Sequence, residues 1–173
     1  MEKIIKEYNV YDFNELDKNI QEDLIEKQLE SDFECYCDMC LQEDMGYEAE
    51  RLLEKYFGDK ATFKNVYYSL TYCQGDGAMI EFDLTYYGKY VKIRHNGFYY
   101  HSRSFTIDDI STYGEYLTEK QEKQLYKKIE KMNRELEKYG WELVDIDNYR
   151  KYNKDYAIER LQEDKYLENG ERF

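Results

Sequence analysis

The chain has 173 residues, with 25 Lys and Arg against 38 Asp and Glu, so its formal net charge is −13. This length fits one domain with a substantial core, and a hydrophobic share of 42% argues against disorder. No apolar run approaches the roughly 18 residues of a membrane span, and the first residues lack the apolar segment of a signal peptide. We therefore predict one cytoplasmic domain over residues 1–173 that does not bind membranes. Because phosphate contacts need cations, we also expect no direct binding of nucleic acid.

The first third of the chain predicts one strand followed by helices. Residues 3–11 are typical of an opening strand, and Asp12-Phe13-Asn14 is a suitable helix cap. Apolar residues then recur at helical spacing through residues 14–57, which indicates two or three helices. Met45-Gly46 is the predicted break between helices, and Gly58 ends the helical region.

In the middle of the chain the apolar period changes from helical to alternating, which predicts strands. A Gly-Asp-Gly turn at residues 75–77 and the Asn96-Gly97 pair are hairpin signals between the alternating segments. Those segments fall at residues 66–73, 78–86, 90–94 and 98–107. Four strands in this order predict an antiparallel β-meander whose apolar face needs helices to cover it.

The last third returns to helical spacing. Thr118 and Gln121 fit a capping box for a helix that we expect to end at Gly140. Residues 141–146 fit a short strand or a packed connector, and residues 149–165 fit a further helix. Its predicted inward residues are Tyr156, Ala157 and Leu161. An Asn-Gly pair predicts a small hairpin in the tail, and the fold class is α+β, a four-stranded antiparallel β-meander covered by N-terminal and C-terminal helices.

The negative charge is concentrated in the helical region. Residues 14–60 hold 15 acidic and 5 basic residues, whereas residues 61–104 hold 3 and 5. Such a surface could imitate a phosphate backbone and dock into a basic groove of a partner, or it could be an ordinary solvated helix face. The candidate docking residues are Glu30, Glu34, Asp38, Glu43 and Asp44.

A second set of candidates lies at the predicted strand ends. Tyrosine is a common anchor of protein interfaces, and exposed loops often carry contacts. The candidate partner-binding residues are Tyr72, Gln74, Asp76, Tyr99, Tyr100 and His101. An ordinary hairpin tip and sheet surface would explain the same residues.

Catalysis has weaker support from the sequence. His95, His101 and Asp76 could serve a small hydrolase or modifying enzyme if their side chains converged in one pocket. No nucleotide-binding, zinc-protease or serine-hydrolase motif accompanies them, so we predict a protein that is not an enzyme.

The cysteines predict neither disulfides nor a cofactor. All four should be reduced in the cytoplasm. Cys37 and Cys40 share an apolar helical stripe with Phe33 and Leu41, so we expect core positions for them. No second cysteine pair completes a zinc site, and we predict no metal, although whether Cys35, Cys37 and Cys40 bind one stays open.

Several segments together resemble a family of small phage and prophage proteins, some loosely described as antitoxin-like. The resemblance is carried by Val10–Leu16, Tyr67–Ala78, Tyr99–Ser102 and Tyr166–Phe173, and Tyr68-Ser69-Leu70-Thr71-Tyr72-Cys73-Gln74-Gly75-Asp76-Gly77 is its most specific part. The cysteine cluster is not part of it. The resemblance implies a viral origin, and small acidic phage proteins without enzyme motifs are similar to inhibitors of host defence such as anti-CRISPR proteins.

These observations lead to one expected function and two alternatives. We expect a non-enzymatic inhibitor that binds a basic, nucleic-acid-handling host effector, for example a CRISPR–Cas nuclease. The alternatives are an antitoxin that neutralises a cognate toxin and the small enzyme described above. The sequence leaves the oligomeric state open.

Overall fold

A computed structural model of the chain describes residues 7–71, 73–109 and 116–173. It is an α+β protein, as predicted. The chain divides into a terminal unit, formed by Met1–Asp38 with Asp145–Phe173, and a central unit, Met39–Val144. In chain order the helices and strands are β1 (Tyr11–Asp12), α1 (Lys18–Met39), α2 (Leu41–Phe57), β2 (Ala61–Ser69), β3 (Gly77–Tyr86), β4 (Lys89–His95), β5 (Phe105–Asp109), α3 (Glu119–Leu143), α4 (Ile146–Leu161) and β6 (Lys165–Tyr166). Among the described residues, no helix has the length and apolar character needed to cross a membrane.

The terminal unit packs α1, α4 and a two-stranded β1–β6 sheet around its own core. Its buried residues are Phe13, Leu16, Ile25, Leu29, Ala157, Leu161 and Tyr166. The predicted tail hairpin is confirmed, because Tyr166 bridges Arg172 and Gly170 turns the chain with a φ of +86°. Of the predicted opening strand only Tyr11 is paired, while residues 3–6 lie outside the described residues.

The central unit contains the predicted meander. Its four strands are antiparallel in the order β2-β3-β4-β5, with Val66 opposite Ile80 and Ile93 opposite Ile107. Helices α2 and α3 cover one face of this sheet and bury Met45, Leu52 and Leu136 completely. The predicted α3 cap is also present, since the Thr118 hydroxyl accepts a hydrogen bond from the Gln121 backbone N–H and the Gln121 side-chain Oε1 accepts one from the Thr118 backbone N–H.

The helix break lies at Cys40, and the prediction of Met45-Gly46 was wrong. Met45 is fully buried in α2, and Gly46 continues the helix because nothing there demands an unusual backbone. The apolar stripe of α1 serves the terminal core, whereas the stripe that begins at Leu41 serves the central core. The chain therefore breaks between the two stripes rather than at the glycine.

The observed ends of α3, α4 and β5 also differ from the predicted ones, because the packing of side chains differs from what residue spacing predicts. Helix α3 passes through Gly140 and ends at Leu143, so the predicted stop at Gly140 was wrong, and α4 begins already at Ile146. Tyr156 is exposed, contrary to prediction, since Ala157 and Leu161 point into the terminal core one position away. β5 starts at Phe105 instead of residue 98, and the intervening loop forms the site described next.

The predicted core positions of the cysteines were also wrong. Cys40 is exposed and Cys37 only half-buried, and neither belongs to the buried cluster of either unit. Burial, followed by the nearby charge of Asp38, raises the pKa of the Cys37 thiol. Among the described residues no group of three or more His, Cys, Asp or Glu side chains is placed to hold a metal ion.

Candidate functional site

The loop between β4 and β5, residues 96–104, exposes three consecutive aromatic side chains. Phe98, Tyr99 and Tyr100 are 80%, 52% and 37% exposed. We call these three residues the aromatic platform. Exposed apolar rings in a row are costly to hydrate and are typical of contact surfaces.

Hydrogen bonds across the base of this loop fix its backbone. The backbone N–H of Asn96 donates to the Ser104 carbonyl at 3.0 Å, and that of Ser104 donates to the His101 carbonyl at 2.8 Å. Inside the loop, the N–H of Phe98 donates to Asn96 Oδ1 at 3.1 Å. The rings are therefore held by an ordered backbone.

His95 connects the end of β4 to the platform. Its Nδ1 accepts a hydrogen bond from the Gly97 backbone at 3.2 Å, so Nε2 carries the proton and donates to the Tyr99 carbonyl at 2.8 Å. Its ring stacks on Tyr67, at 4.7 Å, and on Tyr100, at 5.3 Å between centroids. With both nitrogens hydrogen-bonded and the ring stacked on two tyrosines, His95 is a positioning residue for the loop.

The neighbouring turn is organised by Asp76. Its carboxylate accepts hydrogen bonds from the Ser69 hydroxyl at 2.6 Å and the Cys73 backbone at 2.6 Å, and two more from Thr71. These bonds, those from Ser69 and Cys73 first, lower the pKa of Asp76 to about 2. The side chain therefore stays ionised and holds the turn closed.

The Asp76 turn contacts the platform loop through two glycines. The Tyr100 backbone donates to the Gly75 carbonyl at 2.9 Å, and a Cβ at Gly75 would collide with the Tyr99 ring. A Cβ at Gly77 would lie 2.7 Å from the His101 backbone, and both glycines have positive φ angles. The Gly-Asp-Gly motif thus permits two loops to approach more closely than other residues would.

A buried polar network that the sequence did not predict lies next to the platform loop. Asn133 of α3 is fully buried; it accepts from the Ile80 backbone and donates to the Ser102 carbonyl, each at 3.1 Å. Ser104 is also fully buried, with its hydroxyl 3.1 Å from His101 Nδ1. Glu137 accepts a hydrogen bond from the Ser102 backbone, and its burial raises its pKa. A polar residue among the apolar positions of α3, as Asn133 is, could have indicated a buried hydrogen-bond network from the sequence.

The structure brings together only part of the predicted site. His101 stacks on Tyr99 at 5.6 Å, and exposed Gln74 lies in the Asp76 turn. Tyr72 lies outside the described residues. None of the hydrogen bonds given for the described residues joins Asp76 to His95 or His101.

The predicted acidic residues lie on two helices that belong to different units. Glu30, Glu34 and Asp38 are exposed on α1 in the terminal unit, and Arg150 pairs with Glu30 at 3.1 Å. On α2, Glu43 is exposed and accepts a hydrogen bond from the Tyr47 hydroxyl at 2.9 Å. Asp44 is half-buried. The pKa of Tyr139 is raised mainly by its own burial and further by the charge of Asp44.

No protein family, curated protein or solved structure matches this chain.

Proposed function

We propose that this chain is a phage-encoded, non-enzymatic inhibitor that acts in the cytoplasm of the host. Its target is a nucleic-acid-handling defence protein with a basic groove, of the kind found in CRISPR–Cas nucleases. The observation that carries the proposal is the aromatic platform, which presents exposed rings from an ordered loop.

The platform has the properties of an interface anchor. Phe98 and Tyr99 offer large apolar surfaces, and tyrosine is enriched among residues that dominate binding energy. Because hydrogen bonds already order the loop, little conformational entropy remains to be lost when a partner binds. A rigid aromatic platform on the loop between β4 and β5 favours recognition of a protein surface.

Charge supports a basic partner. The terminal unit has 20 acidic and 10 basic residues, whereas the central unit has 18 and 15. Among the described residues, no salt bridge involves Glu34 or Asp38 of α1. Such unneutralised carboxylates steer a basic surface toward the chain and compete with nucleic acid for it.

The test begins with capture of the target and ends with its activity. The tagged chain is incubated with host lysate at about 50 and about 150 mM salt, and retained proteins are identified by mass spectrometry. The purified target is then titrated with the chain while its binding to labelled nucleic acid is measured. We expect stoichiometric loss of nucleic-acid binding.

A double variant isolates the role of the platform. Phe98→Ala with Tyr99→Ala should weaken target binding at least about tenfold, as expected for two anchor residues. The matched control replaces Tyr87 and Tyr152, which are 63% and 75% exposed elsewhere, by Ala and should bind normally. A target without any nucleic-acid function, or equal binding by both double variants, would overturn the proposal.

A further inference from the structure

Helix α3 carries a row of cations on the side opposite the core. Six basic residues recur at intervals of three or four, which places them on one helix face, and all six are exposed. They extend over about 27 Å at 1.5 Å per residue. We call this the basic stripe, and it consists of Lys120, Lys123, Lys127, Lys131, Arg134 and Lys138.

Helix α2 carries an exposed row of opposite sign. Glu43, Tyr47, Glu50 and Glu54 also recur at intervals of three or four, and each is exposed. Tyr47 is 64% exposed and its hydroxyl donates to Glu43. We call these four residues the acidic stripe, which is about 16 Å long.

The two helices are antiparallel neighbours on one face of the sheet. The start of α2 meets the end of α3, where Met45 packs against Gly140, and the end of α2 meets Lys128, whose ammonium lies 4.5 Å from the Phe57 ring. Between them, Lys55 Nζ is 2.6 Å from Glu135 Oε2. The two stripes therefore run side by side on the outer surface of this helical layer.

Much of this charge forms no salt bridge with another helix or strand. Lys123, Arg134 and Lys138 pair only with acids one turn away on α3. In the described part of the chain, no salt bridge involves the remaining members of either stripe: Lys120, Lys127, Lys131, Glu43, Glu50 and Glu54.

We infer that this helical layer binds the same layer of a second copy of the chain. A twofold axis parallel to α2 and α3 keeps every residue at its height along the helices. It would therefore place the acidic stripe of each copy over Lys131, Arg134 and Lys138 of the other copy's basic stripe. A symmetric dimer uses one self-complementary patch twice, and two adjacent stripes of opposite charge form such a patch. Nucleic acid fits less well, since the acidic stripe would repel phosphate beside the basic one.

The central unit is nearly neutral, which permits the contact. Its 18 acidic and 15 basic residues leave three negative charges, so like-charge repulsion between two central units is small. Exposed ion pairs are individually weak, so the dimer should be weak and sensitive to salt.

Sedimentation velocity of the full chain tests the inference. We expect a monomer–dimer equilibrium at about 50 mM salt, with a dissociation constant at least about tenfold higher at 500 mM. A basic-stripe variant (Lys131→Glu, Arg134→Glu, Lys138→Glu) and an acidic-stripe variant (Glu43→Lys, Glu50→Lys, Glu54→Lys) should each be monomeric. Mixing the two should restore a dimer, because every facing pair is then complementary.

Controls make each result decisive. Lys151→Glu with Lys154→Glu reverses exposed cations on α4 and should leave the dimer intact, and circular dichroism confirms that each variant folds. The platform variant should dimerise normally, which separates this inference from the proposed function. A monomer at all salt concentrations, or reversed variants that fail to pair when mixed, would overturn the inference. Binding of a labelled single-stranded oligonucleotide that the basic-stripe variant loses would also overturn it.

Discussion

Asp76 shows how one carboxylate can order a turn and the loop that contacts it. Four hydrogen bonds occupy its two oxygens, and all come from residues 69–73. The structural role of Asp76 therefore explains its place beside the platform.

The pKa of Asp76 predicts how this contribution changes with pH. Its value in the folded protein is about 2, below the ordinary 3.8, so ionised Asp76 stabilises the fold above about pH 4. That stabilisation should be lost as the pH falls from about 4 through 2.

We expect urea unfolding to show that Asp76→Asn is less stable than the natural chain at pH 6 and that the difference shrinks toward pH 2. Asp59→Asn, at an exposed position, is the control, and a difference independent of pH would contradict the prediction.

Substitution of two glycines by alanine should change the free energy of unfolding in opposite directions. Gly75→Ala places a Cβ against the Tyr99 ring at a φ of +95°, so the free energy of unfolding should fall by at least about 1 kcal/mol. Gly46→Ala lies within α2 with nothing near the added methyl and should raise it by about 0.5–1 kcal/mol. Chemical denaturation measures both, and a Gly75→Ala variant as stable as the natural chain would refute the close approach.

At the scale of elements, α3 is the support on which the platform depends. Asn133 connects α3 to β3 through the Ile80 backbone and to the platform loop through the Ser102 carbonyl. A buried polar side chain with both ends satisfied specifies one arrangement of the elements it joins. The loop conformation is thus tied to helix packing.

Replacing Asn133 should loosen that connection. Asn133→Ala leaves a buried N–H and a buried carbonyl without partners, which should lower the free energy of unfolding by about 2 kcal/mol or more. Hydrogen exchange should show faster exchange of the Ile80 amide. Gln124→Ala, at an exposed position of the same helix, should change neither quantity. Unchanged Ile80 exchange in Asn133→Ala would show that the network does not hold the strand.

The sequence predicted elements more reliably than their ends. The alternation along the sheet and the Thr118 cap were sufficient for the meander and α3, because local pattern and tertiary packing agree there. The break at Cys40 depends on which core each stripe enters, and the 96–104 loop depends on contacts with Gly75. Both features depend on contacts between residues that are far apart in the sequence, and the spacing of residue types along the chain does not predict such contacts.

For the candidate site, residue types predicted some of its exposed side chains but not the contacts that hold them. Tyr99 and Tyr100 were candidate contact residues and are exposed, whereas Phe98 was not among the candidates because its residue type alone suggested an apolar position of the predicted 98–107 strand. The basic stripe was missed because α3 is nearly neutral as a whole. Only its helical geometry separates the cations from the acids.

At the scale of the whole molecule, the net negative charge is divided unevenly between the two units. The terminal unit has a net charge of −10 out of −13 for the whole chain, so long-range attraction of a basic partner should depend mainly on that unit.

Charge reversal on α1 tests this dependence. Glu34→Lys with Asp38→Lys should slow association with the captured target severalfold at about 50 mM salt and weaken the salt dependence of the rate. Glu163→Lys with Glu168→Lys changes the net charge equally at exposed positions elsewhere in the same unit. Surface plasmon resonance at several salt concentrations compares the two, and equal slowing would assign the effect to net charge rather than to α1.

The central claim is that the aromatic platform is the surface that meets the partner. Hydrogen–deuterium exchange of the chain, alone and with the purified target, tests it most directly. We predict slower exchange on binding for the amides of residues 97–101 and for the adjoining residues 73–77. Slower exchange confined to α4 or the tail hairpin, with the platform loop unchanged, would contradict the account.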